Sequence, residues 1–473
     1  MKMIYQISDR PGVSKTIVFA IQQLLAIMAA TLVVPIIVGN GMSPAAALFG
    51  AGVGTLIYLL FTKFRSPVFL GSSFAFLSSM AAAFAGAAST AVGYLGLIAG
   101  AILAGLVYVI IALIVKLVGT DWINKLMPAV VIGPTVAIIG LSLAGNAIGD
   151  LQKGDVTESV FQQVVENGIV VSETTNFVSL ANPLIAILCG LVTLFTVILC
   201  STYGKKMAKL IPFILGIVVG YVVASIFTVI GILTDNVALQ LINFAAFKDM
   251  QIFAGPSFTF LEAFKGVKEI TPAYIATIAV AYIPVAFVVF AEHIADHKNL
   301  SSIIGEDLLE NPGLHRTLLG DGVGSMVGAF FGGCPNTTYG ESVGCIAITR
   351  NASVITITTT AIMSILVSFV SPFVAFLDSI PGCVMGGVCI TLYGFIAVSG
   401  LKMIQKINLE DNANLFTVSV ILITGIGGMA MQIGKVVITA IACALILGIL
   451  VNIMLNKFRK NDEATEENVN SDN

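Results

Sequence analysis

Four carboxylates stand in parts of the sequence that are otherwise almost free of charge: Glu292, Asp296, Asp321 and Glu341. A charged side chain at membrane depth is costly, so such acids usually pair with one another or meet a substrate or a proton. Glu292 and Asp296 are four residues apart in sequence and would share one face of a helix. We therefore expect Glu292 or Glu341 to contact a ligand. Asp296 and Asp321 could equally serve as ion-pair or capping residues.

Glu341 belongs to an unusual stretch, residues 332–349, with the sequence GGCPNTTYGESVGCIAIT. This stretch is too polar for a lipid-facing helix and too apolar for a surface loop. It predicts irregular backbone at membrane depth, which is tolerated only where protein or a water-filled cavity surrounds it. A second segment interrupted by Pro, Gly and Ser occupies residues 66–80, SPVFLGSSFAFLSSM.

The rest of the chain supplies the helices that must hold these two segments. Of its 473 residues, 57% are hydrophobic and 10% are charged, whereas about a quarter of a soluble domain is charged. Runs of about 20 apolar residues, enough to span a bilayer, recur along the chain. We predict an all-α polytopic membrane protein without a nucleic-acid partner. Its roughly fourteen spans start near residues 17, 45, 67, 90, 123, 180, 208, 272, 314, 336, 352, 380, 413 and 433.

The basic residues predict the orientation of these spans. With the N-terminus inside and fourteen crossings, only five lysines fall outside: Lys153, Lys248, Lys265, Lys268 and Lys435. The excess of Lys and Arg on the inner side predicts cytoplasmic N- and C-termini, and residues 147–179 and 234–271 become solvated outer loops. After seven crossings, the second half starts from the opposite side. Each interrupted segment is third in its half, a pattern typical of inverted-repeat transporters with a site at the midplane.

A remote alternative rests on the spacing His293-x-x-Asp296-His297, which resembles the H-x-x-E-H spacing of zinc peptidases. An intramembrane metalloenzyme would need a third ligand and a catalytic Glu, and here Asp296 stands where that Glu is required. We expect the two histidines to snorkel at the inner end of the eighth span. The seven cysteines have no CxxC spacing, so no metal site is predicted. A channel is disfavoured because no ring of filter residues recurs.

Three segments closely resemble the uracil-transporting branch of the nucleobase/ascorbate transporter (xanthine/uracil permease) family. They are LGSSFAFL at 70–77, AEHIADH at 291–297 and PNTTYGESVGCIAITR at 335–350. Further similarity at 22–39, 321–333 and 386–400 extends the resemblance over nearly the whole chain. The NTTYGE run favours uracil, because purine carriers of the family typically have Gln in place of Glu341. The resemblance implies a transporter, not an enzyme.

The resemblance also implies an architecture: two inverted seven-span repeats, with short antiparallel strands in spans 3 and 10 that pair beside the substrate. The core domain would comprise residues 14–118 (spans 1–4) and 272–378 (spans 8–11). The gate domain would comprise 119–271 (spans 5–7 with the outer loops) and 379–458 (spans 12–14). Residues 459–473 are acidic and polar, which predicts a disordered cytoplasmic tail. A homodimer in the plasma membrane is expected.

Residue by residue, the family's substrate contacts fall on Phe74, Glu292, Gly340 and Glu341. Uracil offers two N–H donors and two carbonyl acceptors in one plane, so two carboxylates and two backbone amides could satisfy all four. The implied activity is uracil import by proton symport, with movement of the core against the gate. The proton would be held by Glu292, Asp296 or Glu341, or less favourably by Asp321, and no cofactor is expected.

Two departures from the family pattern leave alternatives open. The first span has Gln22-Gln23 where family members commonly have Gln-His, so a role for that His is ruled out. Asp296 stands where uracil permeases have His and where purine transporters often have Asp. A xanthine-type purine carrier or a broader nucleobase carrier is therefore the main alternative within transport.

Overall fold

A computed structural model describes residues 3–119, 128–166, 169–205, 207–248, 251–433 and 436–471. Lys435 and the predicted start of a span near residue 123 lie outside these ranges. The chain divides into two compact units. One contains residues 1–142, 256–368 and 393–473, and the other contains residues 143–255 and 369–392.

The described residues are mostly helical, and the helices are named here in chain order. They are α1 Val13–Val38, α2 Pro44–Phe61, α3 Leu77–Ala85, α4 Thr90–Val118, α5 Ala129–Ser142, α6 Ala144–Leu151, α7 Pro183–Tyr203, α8 Met207–Leu210, α9 Pro212–Leu233, α10 Thr259–Ala263, α11 Pro272–Ile304, α12 Leu314–Gly332, α13 Gly340–Thr349, α14 Val354–Val367, α15 Ser371–Asp378, α16 Gly382–Ile404, α17 Asn412–Ile426 and α18 Ala440–Ser471.

The strands form three antiparallel pairs, each of two strands. In chain order they are β1 Leu70–Ser72, β2 Thr157–Glu166, β3 Ile169–Ser179, β4 Asn336–Thr338, β5 Met431–Ile433 and β6 Val436–Ile438. Neighbouring strands in sequence pair as β2 with β3 and as β5 with β6, whereas β1 pairs with the distant β4.

Eight helical segments in the described ranges are long and apolar enough to cross a membrane. They are α1, α2, α4, α5 together with α6, α7, α9, α11 and α16. The prediction of a mostly helical, multi-pass membrane protein is thereby confirmed. The number of fourteen spans and the inverted relation of the two halves stay predictions.

Several long helices begin where the sequence provides a polar cap followed by proline. The side chains of Ser43, Asn182 and Thr271 accept hydrogen bonds from backbone N–H groups in the first turns of α2, α7 and α11, and Pro is the first residue of each helix. A capping oxygen satisfies a donor that the helix cannot, and Pro lacks the N–H that would otherwise be left unpaired. The caps therefore fix the starts of the helices.

In the first unit, α2 and α12 pack backbone against backbone. A Cβ added to Gly54 would lie 2.7 Å from the carbonyl oxygen of Gly324, and one added to Gly50 would collide with the carbonyl of Gly328. Small residues allow this close approach between membrane helices. The Asn336 side chain of β4 enters the same contact and donates to the Gly50 carbonyl at 3.2 Å. The α2–α12 pair therefore holds β4.

In the second unit, the segment before β2 is bonded to the start of α16. Asp155 Oδ1 accepts from the Gly382 N–H at 3.1 Å, and the Lys153 carbonyl accepts from the Cys383 N–H at 2.8 Å. Burial raises the pKa of the Asp155 carboxyl to about 7, an effect that the Gly382 N–H opposes and the charge of Asp150 increases. This carboxyl is therefore sensitive to pH near neutrality.

The predicted loops and tail contain regular structure. Residues 147–179 include the end of α6 and the β2–β3 hairpin, and residues 234–271 include short helical turns and α10. Helix α18 continues to Ser471, so it includes residues 459–471, where the composition predicts disorder.

Candidate functional site

The two interrupted segments, 66–80 and 335–349, meet as a pair of short strands in the first unit. Strands β1 and β4 are antiparallel, with Leu70 opposite Thr338 and Ser72 opposite Asn336. The Ser73 N–H extends the ladder by donating to the Pro335 carbonyl at 2.9 Å. The short antiparallel strands implied by the resemblance are therefore present.

Side chains from α1 and α2 and the residue after β4 fix this ladder. Thr55 Oγ1 accepts from the Leu70 N–H at 2.9 Å, and the Tyr339 hydroxyl donates to the Ser72 carbonyl at 2.8 Å. Thr31 Oγ1 in turn donates to the Tyr339 hydroxyl at 3.4 Å. Because these groups are buried, the hydrogen bonds replace the water that an irregular backbone would otherwise need.

Each strand leads into a helical segment that begins with a predicted site residue. Phe74 begins a 3₁₀ turn two residues after β1, and Gly340 begins α13 two residues after β4. The antiparallel register puts these two starts at opposite ends of the ladder. The first N–H groups of a helix have no partner within it, so both starts can offer backbone donors to a ligand.

The surroundings of Phe74 and Gly340 differ. Phe74 is half-buried, and its ring meets the edge of Tyr393 with centroids 6.2 Å apart. Gly340 is exposed, and a Cβ added to it would meet a single neighbouring atom, Asp296 Oδ1, at 3.9 Å. Glu341, the next residue, is half-buried. The start of α13 is therefore accessible to a ligand, and Asp296 is its nearest neighbour.

The acidic face of α11 lies against the start of α13. Asp296 Oδ2 accepts from the Thr338 hydroxyl at 2.8 Å, which ties α11 to β4. Glu292, one turn earlier, is exposed and interacts electrostatically with Asp296 and Glu341. The structure thus brings together Glu292, Asp296, Gly340 and Glu341, with Phe74 at the far end of the same ladder.

Asp321 is placed differently from the other three acids. It is fully buried, and its Oδ2 lies 2.7 Å from His293 Nδ1. The other ring nitrogen of His293, Nε2, lies 3.0 Å from the Thr317 hydroxyl. Asp321 therefore belongs to a contact between α11 and α12, not to the open face at Gly340.

The expectation that the two histidines snorkel is wrong. The side chains of His293 and His297 are 0% exposed. His297 Nδ1 donates to the His293 carbonyl at 2.8 Å, and its Nε2 lies 2.7 Å from the Tyr58 hydroxyl. Both ring nitrogens of each histidine are thus engaged by protein groups. In the described residues, no cluster of three or more His, Cys, Asp or Glu could hold a metal ion.

Sequence reasoning missed two polar residues that support the site. Gln23 Nε2 donates to Ser342 Oγ at 2.5 Å, and this hydroxyl also accepts from the Phe69 N–H at 3.3 Å. Gln23, the departure from the family's His, therefore links α1 to the residue after Glu341. The sequence identifies Thr338 only as part of a polar run. The pairing of α11 with β4 could have been found only in three dimensions.

Comparison with known proteins decides the family. The model of a family described as "Permease family", the xanthine/uracil permeases, matches residues 14–434. The chain belongs to this family. Its members are permeases, so the chain is a transporter and not an enzyme.

Relatives within the family align over nearly their full length. The uracil permease of Bacillus subtilis (strain 168) is 37% identical over 465 residues, which cover 98% of this chain and 97% of the relative. The uracil permease of Bacillus caldolyticus is 38% identical over 458 residues, covering 96% and 95%. Family membership therefore applies to the whole chain.

A solved structure shares the fold at low sequence identity. The transmembrane domain of a cyanobacterium bicarbonate transporter, BicA, superposes with a TM-score of 0.61 at 16% identity, covering 95% of this chain and 100% of that domain. At this identity the similarity concerns the fold alone.

Proposed function

We propose that this protein imports uracil across the plasma membrane by symport with protons. The observation that carries the proposal is the placement of Gly340 and Glu341 at an open helix start, facing the acidic side of α11. Both relatives described above are named uracil permeases. Multi-pass membrane location follows from the helices, and cytoplasmic N- and C-termini are part of the proposal.

The site groups match the hydrogen-bonding pattern of a uracil ring. Carboxylates of Glu292 and Glu341 accept from the two ring N–H groups, and the backbone amides of Phe74 and Gly340 donate to the two ring carbonyls. The aromatic ring of Phe74 stacks on the base. An analogue that lacks a ring N–H leaves a site acceptor unpaired, which costs about 1–3 kcal/mol.

The proton is held within the same cluster of acids. Glu292, Asp296 and Glu341 repel one another when all are ionised, and uptake of one proton relieves that repulsion. Asp321 is the least favoured carrier, because His293 already holds one of its oxygens. No other cofactor takes part.

Transport requires that the site face each side in turn. In our proposal the core, residues 14–118 and 272–378, moves against the gate, residues 119–271 and 379–458. The fourteen spans in two inverted seven-span repeats supply this arrangement. The working unit is a homodimer.

A xanthine-type purine is the second candidate substrate, with broader nucleobase transport as its extension. Asp296, which stands where purine transporters often have Asp, lies beside Gly340. Replacing Glu341 by Gln separates the candidates, because a uracil carrier loses the charged acceptor for a ring N–H whereas a purine carrier tolerates the amide. Competition by unlabelled xanthine measures the same difference in the unsubstituted protein.

The test of the proposed function is uptake of labelled uracil by purified protein in liposomes. An inward proton gradient should stimulate uptake, and a protonophore should remove the stimulation. Uptake that ignores the gradient would contradict proton coupling. Uptake of xanthine without uptake of uracil would contradict the substrate. Protein-free liposomes and the Glu341→Gln variant are the controls.

A further inference from the structure

Helix α11 carries two pairs of polar residues at helical spacing. Glu292 and Asp296 form the pair that faces the candidate site, and Asp296 bonds to β4 through Thr338. His293 and His297 are each one position later in sequence, so they lie about 100° around the helix. The histidine pair is fully buried, whereas Glu292 is exposed.

The first histidine bonds α11 to α12. His293 Nδ1 and Asp321 Oδ2 are 2.7 Å apart. A nitrogen and an oxygen can form a hydrogen bond only through a proton, so one proton lies between them. Thr317 Oγ1, 3.0 Å from Nε2, donates its own proton to the Leu314 carbonyl at 3.0 Å. The tautomer of His293 decides which nitrogen donates, and in each tautomer both ring nitrogens have a partner.

The second histidine bonds α11 to α2. The Tyr58 hydroxyl lies 2.7 Å from His297 Nε2 and 2.6 Å from Ser66 Oγ. His297 Nδ1 donates to the His293 carbonyl because a carbonyl can only accept. The two imidazole rings are stacked with centroids 4.1 Å apart. A continuous buried polar network thus joins three helices behind the acidic face.

We propose that His293 and His297 are positioning residues that fix the rotation of α11 and so aim Glu292 and Asp296 at the substrate. This inference rests on the proposed function. With side chains, a helix is 10–12 Å in diameter, so a rotation of about 10° moves a side-chain tip by about 1 Å. A hydrogen bond does not survive such a displacement, since its useful range is only about 0.5 Å. Asp321 then acts through His293 instead of exchanging the coupled proton.

Two buried tyrosines provide a matched test. Both Tyr58 and Tyr108 are fully buried, but in the described residues the Tyr108 hydroxyl has no hydrogen-bond partner. Tyr58→Phe and Tyr108→Phe each remove one buried hydroxyl. Of the two variants, only Tyr58→Phe also removes a hydrogen bond to His297. We expect Tyr58→Phe to raise the Kd for uracil roughly 2- to 10-fold, and Tyr108→Phe to leave it unchanged.

The same experiment separates positioning from proton transfer. Proton uptake per uracil bound, followed with a pH indicator in weakly buffered detergent solution, should be unchanged in Tyr58→Phe. Asp321→Asn should also keep this ratio, because the Asn amide can still form a hydrogen bond with His293 Nδ1. Loss of proton uptake in Asp321→Asn would assign the coupled proton to Asp321 and overturn the inference.

Two outcomes distinguish a failure of the positioning role from a failure of the proposed function. If the unsubstituted protein binds uracil but Tyr58→Phe and Tyr108→Phe have equal Kd values, the positioning role is overturned and the proposed function stands. If the unsubstituted protein binds no uracil, the proposed function fails and the inference fails with it. Thermal unfolding of each variant confirms that the folded proteins are being compared.

Discussion

Replacing Gly340 by Ala isolates the role of one backbone amide. The nearest neighbouring atom to the new methyl group would be Asp296 Oδ1, at the ordinary van der Waals distance of 3.9 Å. The φ angle of Gly340 is not positive, and Ala is a better helix residue than Gly. The free energy of unfolding should therefore stay the same or rise slightly.

Binding should respond in the opposite direction. In the proposed site a uracil carbonyl accepts from the Gly340 N–H, and a methyl group on the same residue would crowd its approach. Losing this hydrogen bond while the ring stays buried costs about 1–3 kcal/mol, which corresponds to roughly a 5- to 150-fold increase in Kd. Isothermal titration calorimetry with uracil measures the Kd, and thermal unfolding in the same detergent measures stability.

Gly344→Ala is the matched control. Gly344 lies one turn later in α13, and a Cβ there would have no neighbour within 4 Å. We expect this variant to bind uracil like the unsubstituted protein. Equal Kd values for Gly340→Ala and Gly344→Ala would refute close approach of the substrate to the start of α13, and with it this part of the site.

Three further predictions concern other parts of the molecule. Glu341→Gln should raise the Kd for uracil roughly 5- to 10-fold, because the Gln carbonyl oxygen can still accept from a ring N–H but lacks the negative charge that strengthens this bond. Gly71→Ala should lower the free energy of unfolding by about 1–3 kcal/mol, since its methyl group would collide with the Tyr339 ring. Burial raises the pKa of Asp155 from 3.8 to about 7. The contribution of Asp155 to the free energy of unfolding is therefore complete below pH 3.8 and is lost as pH rises through about 7. Asp155→Asn should remove this loss, because the Asn Oδ1 can still accept from the Gly382 N–H.

Each of these has a result that would contradict it. Unchanged uracil affinity in Glu341→Gln would remove that residue from the contacts. If denaturant unfolding gives Gly71→Ala the same free energy of unfolding as Gly344→Ala, the β1–β4 strand pair tolerates a side chain at residue 71. For Asp155→Asn, a pH dependence of the unfolding temperature parallel to that of the unsubstituted protein would place the titrating group elsewhere.

Much of the fold could be predicted because membrane depth leaves few options for a chain. Apolar runs identified the long helices, and the polar interruptions at 66–80 and 335–349 indicated irregular backbone. Their pairing as β1 and β4 came from the resemblance, because a three-residue strand such as Leu70–Ser72 has too little periodicity to indicate a partner 266 residues away. The β2–β3 hairpin was missed because its sequence reads as a polar loop.

The candidate site was predicted in part. The rarity of charge identified all four carboxylates, but the sequence could not show that Asp321 faces His293 while Asp296 faces Thr338. Residues one position apart on α11 point in directions about 100° apart, and only the packing of α12 and β4 decides which direction faces the site. The burial of the two histidines could not be predicted, because their position near the end of a helix suggests solvent, whereas Tyr58 and Asp321 bond to them in the interior.

An experimental structure with uracil bound would show the substrate contacts directly. We predict that the ring lies beside the β1–β4 ladder, with one carboxylate oxygen of Glu292 and one of Glu341 each about 2.7–3.2 Å from a ring nitrogen. We also expect the Gly340 N–H to lie within hydrogen-bond distance of a ring carbonyl. A uracil ring found away from the ladder, or one that meets neither carboxylate, would show that the proposed site is wrong.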